Sequence, residues 1–199
     1  MKKLLELANM IKNQSLREKT IKLLKEPSLS NTELLYPAAD ITKVPAWIGA
    51  HHNYEGGQLE HTASVVKLAL AMADIFEATY KLKINRDHLI AGGLLHDIGK
   101  LFLLKKVGKN WTFTGCVLDH AHLSAAELYA RGFPEEVVHI AAAHGGDMGA
   151  AGANPRTIEA TLIYYADMID SSIETAAHGT QQLPLQLLFM QPTEEKKES

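Results

Sequence analysis

Residues 94–100 read Leu-Leu-His-Asp-Ile-Gly-Lys (LLHDIGK). A histidine and an aspartate stand side by side behind an apolar run that includes Leu89, Ile90, Leu94 and Leu95. Burying a carboxylate is costly unless it is paired, hydrogen-bonded or bound to a metal. Asn85 is a good N-cap, and the apolar spacing predicts a helix from there that stops near Gly99. Adjacent helical residues point about 100° apart. At a last turn before a glycine, both side chains can still reach one centre or two neighbouring centres. Lys100 then falls on the exit loop, one turn beyond Asp97.

Helical periodicity recurs on both sides of this stretch. Leu4, Leu7, Ala8 and Ile11 predict a helix over 3–12. Ser15 and Glu18 form a capping-box pattern ahead of Leu16, Ile21, Leu23 and Leu24, and Pro27 closes that helix. Residues 36–57 are irregular, punctuated by Pro37, Pro45, Gly49, Gly56 and Gly57. A long amphipathic helix from Gln58 to about Tyr80 puts His61, Val65, Leu68 and Met72 on one face. Residues 105–115 read as a loop or small hairpin. A helix over 117–131 ends at Gly132, and Pro134, Glu135 and Glu136 start another that stops at His144. Beyond a Gly/Ala-rich loop over 145–154, Asn154-Pro155 opens the last long helix, which carries Ile158, Leu162, Tyr165, Asp167 and Ile169. The fold class expected is all-α, a bundle of six or more helices. One domain is expected over 1–180 and a C-terminal tail over 181–199, in which apolar residues 183–190 precede a solvated TEEKKES end.

The chain has 199 residues, enough for one domain with a sizeable core. Apolar residues make up 46% and charged residues 22%, the balance of a soluble globular protein. A net charge of −3 argues against coating nucleic acid by bulk charge and leaves only a local basic groove open. The single cysteine, Cys116, cannot form an internal disulfide, which fits a reducing cytoplasm. The opening MKKLLELANMIK is broken by Glu6 and Asn9 and lacks a signal-peptide cleavage site. No run approaches the ~18 apolar residues of a membrane helix, so no membrane association is expected.

Ten histidines are the outlying number. Six polar residues stand at expected helix ends or on apolar faces: His61, His96, Asp97, His120, His144 and Asp167. They are separated by 35, 1, 23, 24 and 23 residues. Apart from the adjacent pair, each gap is about one helix plus one loop, so antiparallel helices can return every one of them to the same end of the bundle. A lone histidine on an apolar face is more often a hydrogen-bonded core residue, and His88, His122, His139 and His178 are read that way. Four imidazoles and two carboxylates without a thiolate favour one or two divalent transition-metal ions, Mn, Fe, Co, Ni or Zn ahead of Mg. Six protein ligands exceed what one catalytic ion with open positions can use. They suit two ions about 3.5–4 Å apart, with Asp97 able to bridge them.

The order H…HD…H…H…D resembles the HD-domain superfamily of metal-dependent phosphohydrolases. The motifs are GGQLEHT (56–62), LLHDIGK (94–100), Asp119-His120, Ala143-His144-Gly145 and Tyr165-Ala-Asp-Met-Ile-Asp170. The block His51-His-Asn-Tyr-Glu-Gly-Gly-Gln-Leu-Glu-His-Thr62 is similar to the HD domain of OB-fold-containing 3′→5′ exoribonucleases and their relatives. The likeness covers roughly residues 10–175. It implies an HD-domain helical bundle in which His61, His96, Asp97 and Asp167 hold the core metal. His120 and His144 would extend the site to a second ion or bind substrate phosphate. Two departures stand out: Ala143 replaces the first of two histidines usual in the subgroup, and no OB-fold is expected ahead of the domain.

The activity expected is metal-dependent hydrolysis of a phosphomonoester or phosphodiester in a nucleotide or short oligonucleotide. Asp97 would orient the attacking water and Lys100 would hold a phosphate oxygen. His51 and His52 would reach over the site as substrate contacts or proton donors. Asp170, three residues after Asp167, would orient a metal-bound histidine. Two alternatives have their own signatures. A 3′→5′ exoribonuclease-like nuclease needs a basic, aromatic groove, for which Trp47, Tyr54, Trp111 and Phe113 with Lys105, Lys106 and Lys109 are available. A regulatory or ligand-sensing HD domain without turnover usually lacks the HD pair or the final aspartate, and both are present here. The partner expected is a phosphate-containing small molecule or short nucleic acid, and a homo-oligomer is compatible with the sequence.

Overall fold

The computed structural model describes residues 1–145 and 153–178. In chain order the elements are α1 Lys2–Ala8, α2 Gln14–Lys25, α3 Gly57–Tyr80, α4 Arg86–Leu95, the single turn α5 Lys100–Leu103, β1 Leu104–Val107, β2 Asn110–Phe113, α6 His120–Ala130, α7 Glu135–Ala143 and α8 Ile158–His178. The all-α expectation holds, with one antiparallel hairpin added where 105–115 left it open. Residues 146–152, within the loop expected over 145–154, and residues 179–199, which include the tail expected over 181–199, lie outside the described residues.

The bundle is organised around α4. Leu89 through Leu95 are all buried, and α1, α2, α3, α7 and α8 pack on it. Gly92 and Gly93 make this crowding possible. A Cβ on Gly92 would stand 2.5 Å from Ile140 Cδ1, and one on Gly93 2.8 Å from Ile163 Cδ1 and 2.9 Å from Val66 Cγ2. Two helix-weakening glycines thus let α7, α8 and α3 approach the α4 backbone. One apolar cluster joins α1, α2, α4 and α7 through Leu4, Leu24, Leu94, Leu95 and Val137. A second joins α3, α7 and α8 through Val65, Ala69, Ile140 and Ile163.

Helix boundaries differ from the sequence expectation in four places, each for a local reason. The cap of α2 is Asn13, whose side chain accepts from the Leu16 N–H at 3.0 Å; Ser15 lies inside the helix. Helix α6 starts at His120, where Asp119 Oδ1 accepts from the Ala121 N–H at 2.8 Å. Helix α8 starts at Ile158 rather than at Asn154-Pro155, with Thr157 Oγ1 accepting from the Ala160 N–H at 3.1 Å. Asn85 does cap α4, accepting from the His88 N–H at 3.1 Å.

The fourth difference is at the HD stretch. Helix α4 ends at Leu95, His96 is its C-cap, and the chain turns through Gly99 directly into α5. Gly99 keeps right-handed backbone angles (φ −61°, ψ −30°), so it is not a left-handed helix stop. Its lack of a side chain serves contact instead. A Cβ there would sit 2.4 Å from the His120 carbonyl oxygen and 3.0 Å from the Ser124 nitrogen. The Gly99 N–H donates to Ser124 Oγ at 2.9 Å, locking the HD turn onto α6. Lys100 is accordingly not on an exit loop but opens α5, only 5% exposed.

Gly99→Ala must therefore push α6 away from the HD turn. The expected loss is about 1–3 kcal/mol, the range for overpacking. For a domain of this size that lowers Tm by roughly 2–4 °C per kcal/mol, measurable by thermal denaturation of the metal-free protein. An unchanged Tm would contradict the contact described.

Candidate metal centre

The six residues singled out from their spacing converge. His61 comes from the first turns of α3, His96 and Asp97 from the end of α4, His120 from the start of α6, His144 from the end of α7, and Asp167 from the middle of α8. The carboxylate of Asp97 lies at the middle. Its Oδ2 is 3.5 Å from His61 Nε2 and 3.3 Å from His96 Nε2. Its Oδ1 is 3.5 Å from His120 Nε2 and 3.3 Å from His144 Nε2. Asp167 Oδ1 closes the first half at 3.2 Å from His61 Nε2. One carboxylate thus faces two separate pairs of imidazoles through its two oxygens.

The opposite nitrogen of three of the rings is fixed from behind. Asp170 Oδ2 lies 2.7 Å from His61 Nδ1. The Gly93 carbonyl lies 2.8 Å from His96 Nδ1, and the Ala141 carbonyl 2.7 Å from His144 Nδ1. Asp119 Oδ2 stands 3.2 Å from His120 Nδ1. At His61, His96 and His144 the acceptor at Nδ1 lets the ring donate there and turn its Nε2 inward, the orientation in which histidine ligates a metal, whereas His120 Nδ1 lies beside Asp119 without a hydrogen bond. The His120 and His144 Nε2 atoms are 3.2 Å apart, close enough to share a proton in the metal-free protein or to face one cation together. His61 Nε2, His96 Nε2 and Asp97 Oδ1 are buried without a hydrogen-bond partner. Buried polar atoms are rarely left so, and here they all face one place. The residues present therefore fit a divalent-metal centre. The C-terminal ends of α4 and α7 also point their negative dipole ends at it.

The electrostatics agree. Burial works to raise Asp97, but Lys100 and the surrounding histidines outweigh it and hold the carboxyl well below its usual range. Lys100 Nζ stands 2.5 Å from Asp97 Oδ2. Burial likewise opposes protonation of His61 and His144, yet the carboxylates of Asp167, Asp170 and Asp97 raise His61, and Asp97 raises His144. Without a metal, protons take up the negative charge that the centre concentrates.

The remaining expected site residues are placed as follows. The His51 ring lies 4.8 Å from that of His61. Burial first, then Lys100, pushes it down to about 3, so the ring is neutral at pH 7 and is no ready proton donor. His52 sits behind the centre, with Nε2 3.5 Å from Asp170 Oδ2. It takes a left-handed backbone (φ 49°). Such strain persists only where neighbours over-determine it. Here the His52 N–H donates to Glu174 Oε2 at 2.7 Å, and the His52 carbonyl accepts from the Ala46 N–H at 3.1 Å. A Cβ on Gly57 would be 2.0 Å from the His52 carbonyl oxygen, which explains that glycine beside the two histidines.

Three residues were missed from the sequence. Gln58 is buried and its Nε2 donates to Asp97 Oδ2 at 3.3 Å; its place three residues before His61, on the same helix face, was the available signal. Asp119 caps α6 and stands beside His120 Nδ1, a place hinted at by its adjacency to that histidine. Glu174, one turn beyond Asp170, left no pattern.

A sequence profile of the HD domain matches residues 59–172, more than half of the chain. This chain belongs to the HD-domain family. Among curated HD relatives, the dihydroneopterin 2′,3′-cyclic phosphate phosphodiesterase of Methanocaldococcus jannaschii is 44% identical over 179 residues, covering 89% of this chain and 71% of that protein. The 3′-5′ exoribonuclease YhaM of Bacillus velezensis is 30% identical over 146 residues, covering 68% of this chain and 45% of that enzyme. Its counterpart in Listeria monocytogenes is 31% identical over 146 residues, with 67% and 44% covered. The chain thus spans less than half the length of these exoribonucleases. No solved structure matches it. The HD domain of this chain is a phosphohydrolase domain, acting on phosphate ester bonds.

Asp170 offers the cleanest test of how the centre is supported, because it touches His61 only from behind. Asp170→Asn is expected to weaken divalent-metal binding about 10- to 100-fold in a chelator competition, with the helical circular dichroism retained. Unaltered affinity would show that His61 does not need this support.

Proposed function

We propose that this protein is a divalent-metal-dependent phosphodiesterase that opens a cyclic phosphate on a small nucleoside-like molecule or at the end of a short oligonucleotide. The observation that carries the reading is the division of the two Asp97 oxygens between His61/His96 and His120/His144. That arrangement supports two ions bridged by one carboxylate, the clamp suited to in-line displacement at phosphorus. Ala143, where the resemblance led us to expect a histidine, leaves His144 to serve the second half together with His120. The mixed imidazole and carboxylate set favours Mn, Fe, Co, Ni or Zn over Mg. The relative at 44% identity, named for a 2′,3′-cyclic phosphate, supports the substrate class. The unpaired Cys116 supports a cytoplasmic setting, and no helix among the described residues is long and apolar enough to cross a membrane.

Opening a cyclic phosphodiester adds a hydroxyl group to phosphorus, breaks one of its two ester bonds to the sugar, and puts a proton on the departing oxygen. His61, His96, Asp97 and Asp167 would hold one ion and Asp97, His120 and His144 the other. When bound, such ions act as Lewis acids that bring the pKa of water towards about 7. Asp97, fixed by Gln58 and by the packing of α4, orients the attacking water. Lys100 neutralises Asp97 in the resting protein and presents its ammonium to a non-bridging phosphate oxygen, as a point charge. Neutral His51 hydrogen-bonds the substrate at the rim, and His52 steadies Asp170 behind His61. Protonation of the departing oxygen falls to water or to the lysine ammonium.

The exoribonuclease relatives favour a second reading, 3′→5′ trimming of single strands. The groove expected for it is partly neutralised: Lys106 Nζ is 3.2 Å from Glu55 Oε2, and the Tyr54 hydroxyl donates to Glu60 at 2.9 Å. This makes a small cyclic phosphodiester the better fit.

Elemental analysis of protein loaded with Mn or Fe is expected to find two ions per chain, and one in His144→Ala. Turnover of nucleoside 2′,3′-cyclic phosphates is expected to fall in Asp97→Ala by more than the 10–100-fold typical of changes behind the ligands. A wild-type protein that binds no metal, or that hydrolyses no phosphodiester with any of these ions, would overturn the proposal.

A further inference from the structure

We propose that Trp47 and Phe113 form the subsite that stacks the planar nitrogen heterocycle of the substrate. The inference rests on the phosphodiesterase reading and names the residues that would make it selective.

The wall begins at the metal centre itself. The Trp47 ring lies 5.6 Å from that of His120, tilted by 52°. Lys100 Nζ stands 5.6 Å from the Trp47 ring, in cation–π range. Trp47 therefore touches both the second half of the cluster and the cation assigned to the phosphate. Phe113 continues the wall outward, 5.7 Å from Trp47 and edge-on at 64°.

The hairpin holds Phe113 there. Strand β1 follows α5 without a break, and Phe113 pairs with Leu104, which is wholly buried. The segment that fixes Lys100 thus fixes the wall as well. Phe113 nevertheless remains 50% exposed, and the segment leading from it to His120 carries Leu118, 42% exposed, and Val117, 94% exposed. Single exposed apolar residues are ordinary; what distinguishes Phe113 is that its exposed ring is packed against Trp47, which itself neighbours His120 and Lys100.

The chemistry selects the occupant. A phosphodiester held at Asp97 and Lys100 places its sugar at the edge of the cluster, and the next group meets the Trp47–Phe113 wall. Aromatic faces stack any planar heterocycle without reading its hydrogen-bonding edge. The wall thus favours ring-bearing cyclic phosphates over ring-less ones while tolerating different rings.

The test compares kcat/KM for adenosine 2′,3′-cyclic phosphate with that for glycerol 1,2-cyclic phosphate, which has the same strained ester and no heterocycle. In Phe113→Ala and in Trp47→Leu the ratio is expected to fall about tenfold, the scale of one base–aromatic stack. Phe113→Tyr is expected to restore it. A ratio unchanged in both variants would overturn the stacking subsite while leaving the phosphodiesterase reading intact. A wild-type protein inactive on both compounds would overturn that reading and this one with it. A fall that Phe113→Tyr fails to restore would show that stacking is not the cause.

Discussion

One shared carboxylate sets the terms for the rest of the structure. Asp97 is almost wholly buried, yet it stays ionised because four inward imidazoles and Lys100 surround it. A buried charge without such company would cost several kcal/mol. The centre is the reverse of a hydrophobic core: removing any one partner leaves the others uncompensated. The fold must therefore hold five chain segments at fixed positions around two oxygen atoms, and most of the packing can be understood as doing so.

Helix α4 supplies the fixed point. Its two glycines admit α3, α7 and α8 to its backbone, so the elements carrying His61, His144 and Asp167 are referenced to the same helix that ends in His96 and Asp97. Gly99 repeats the device one turn later for α6 and His120. These contacts are between backbone and side chains that cannot give way, which is how packing sets a metal geometry to within fractions of an ångström. The acceptors behind the rings then set tautomers. Two are carbonyls of the same helix three residues back, Gly93 for His96 and Ala141 for His144. Ring orientation there follows from helix geometry alone.

The sequence disclosed the centre better than it disclosed the boundaries around it. His61, His96, Asp97, His120, His144 and Asp167 were legible because helix-plus-loop spacing repeats and because polar residues on apolar faces need a reason. Asp170 was legible because i, i+3 residues share a face. Gly99 was misjudged because a glycine after a helix has two uses, a left-handed turn or a close approach, and only the packing of α6 distinguishes them. Lys100 moved from an exit loop into the interior for the same reason. The true starts of α2, α6 and α8 were obscured because several of Ser, Thr, Asn and Asp stand near each one, and which of them caps depends on where the neighbouring helices hold the chain. Trp47 and Phe113 were legible as members of a candidate aromatic groove, but their packing against each other beside His120 was not, because one lies in an irregular segment and the other in the hairpin 66 positions on, where no periodicity sets their relative placement.

The central claim is that one carboxylate holds two ions, each with its own pair of imidazoles. Crystals of the Mn-loaded protein, measured at the metal's absorption edge, test it most directly. The account predicts two anomalous peaks about 3.5–4 Å apart, one on each side of Asp97, nearest to His61 and His96 in one case and to His120 and His144 in the other. A single peak on the His61 side, with His120 and His144 left as a hydrogen-bonded pair, would contradict it.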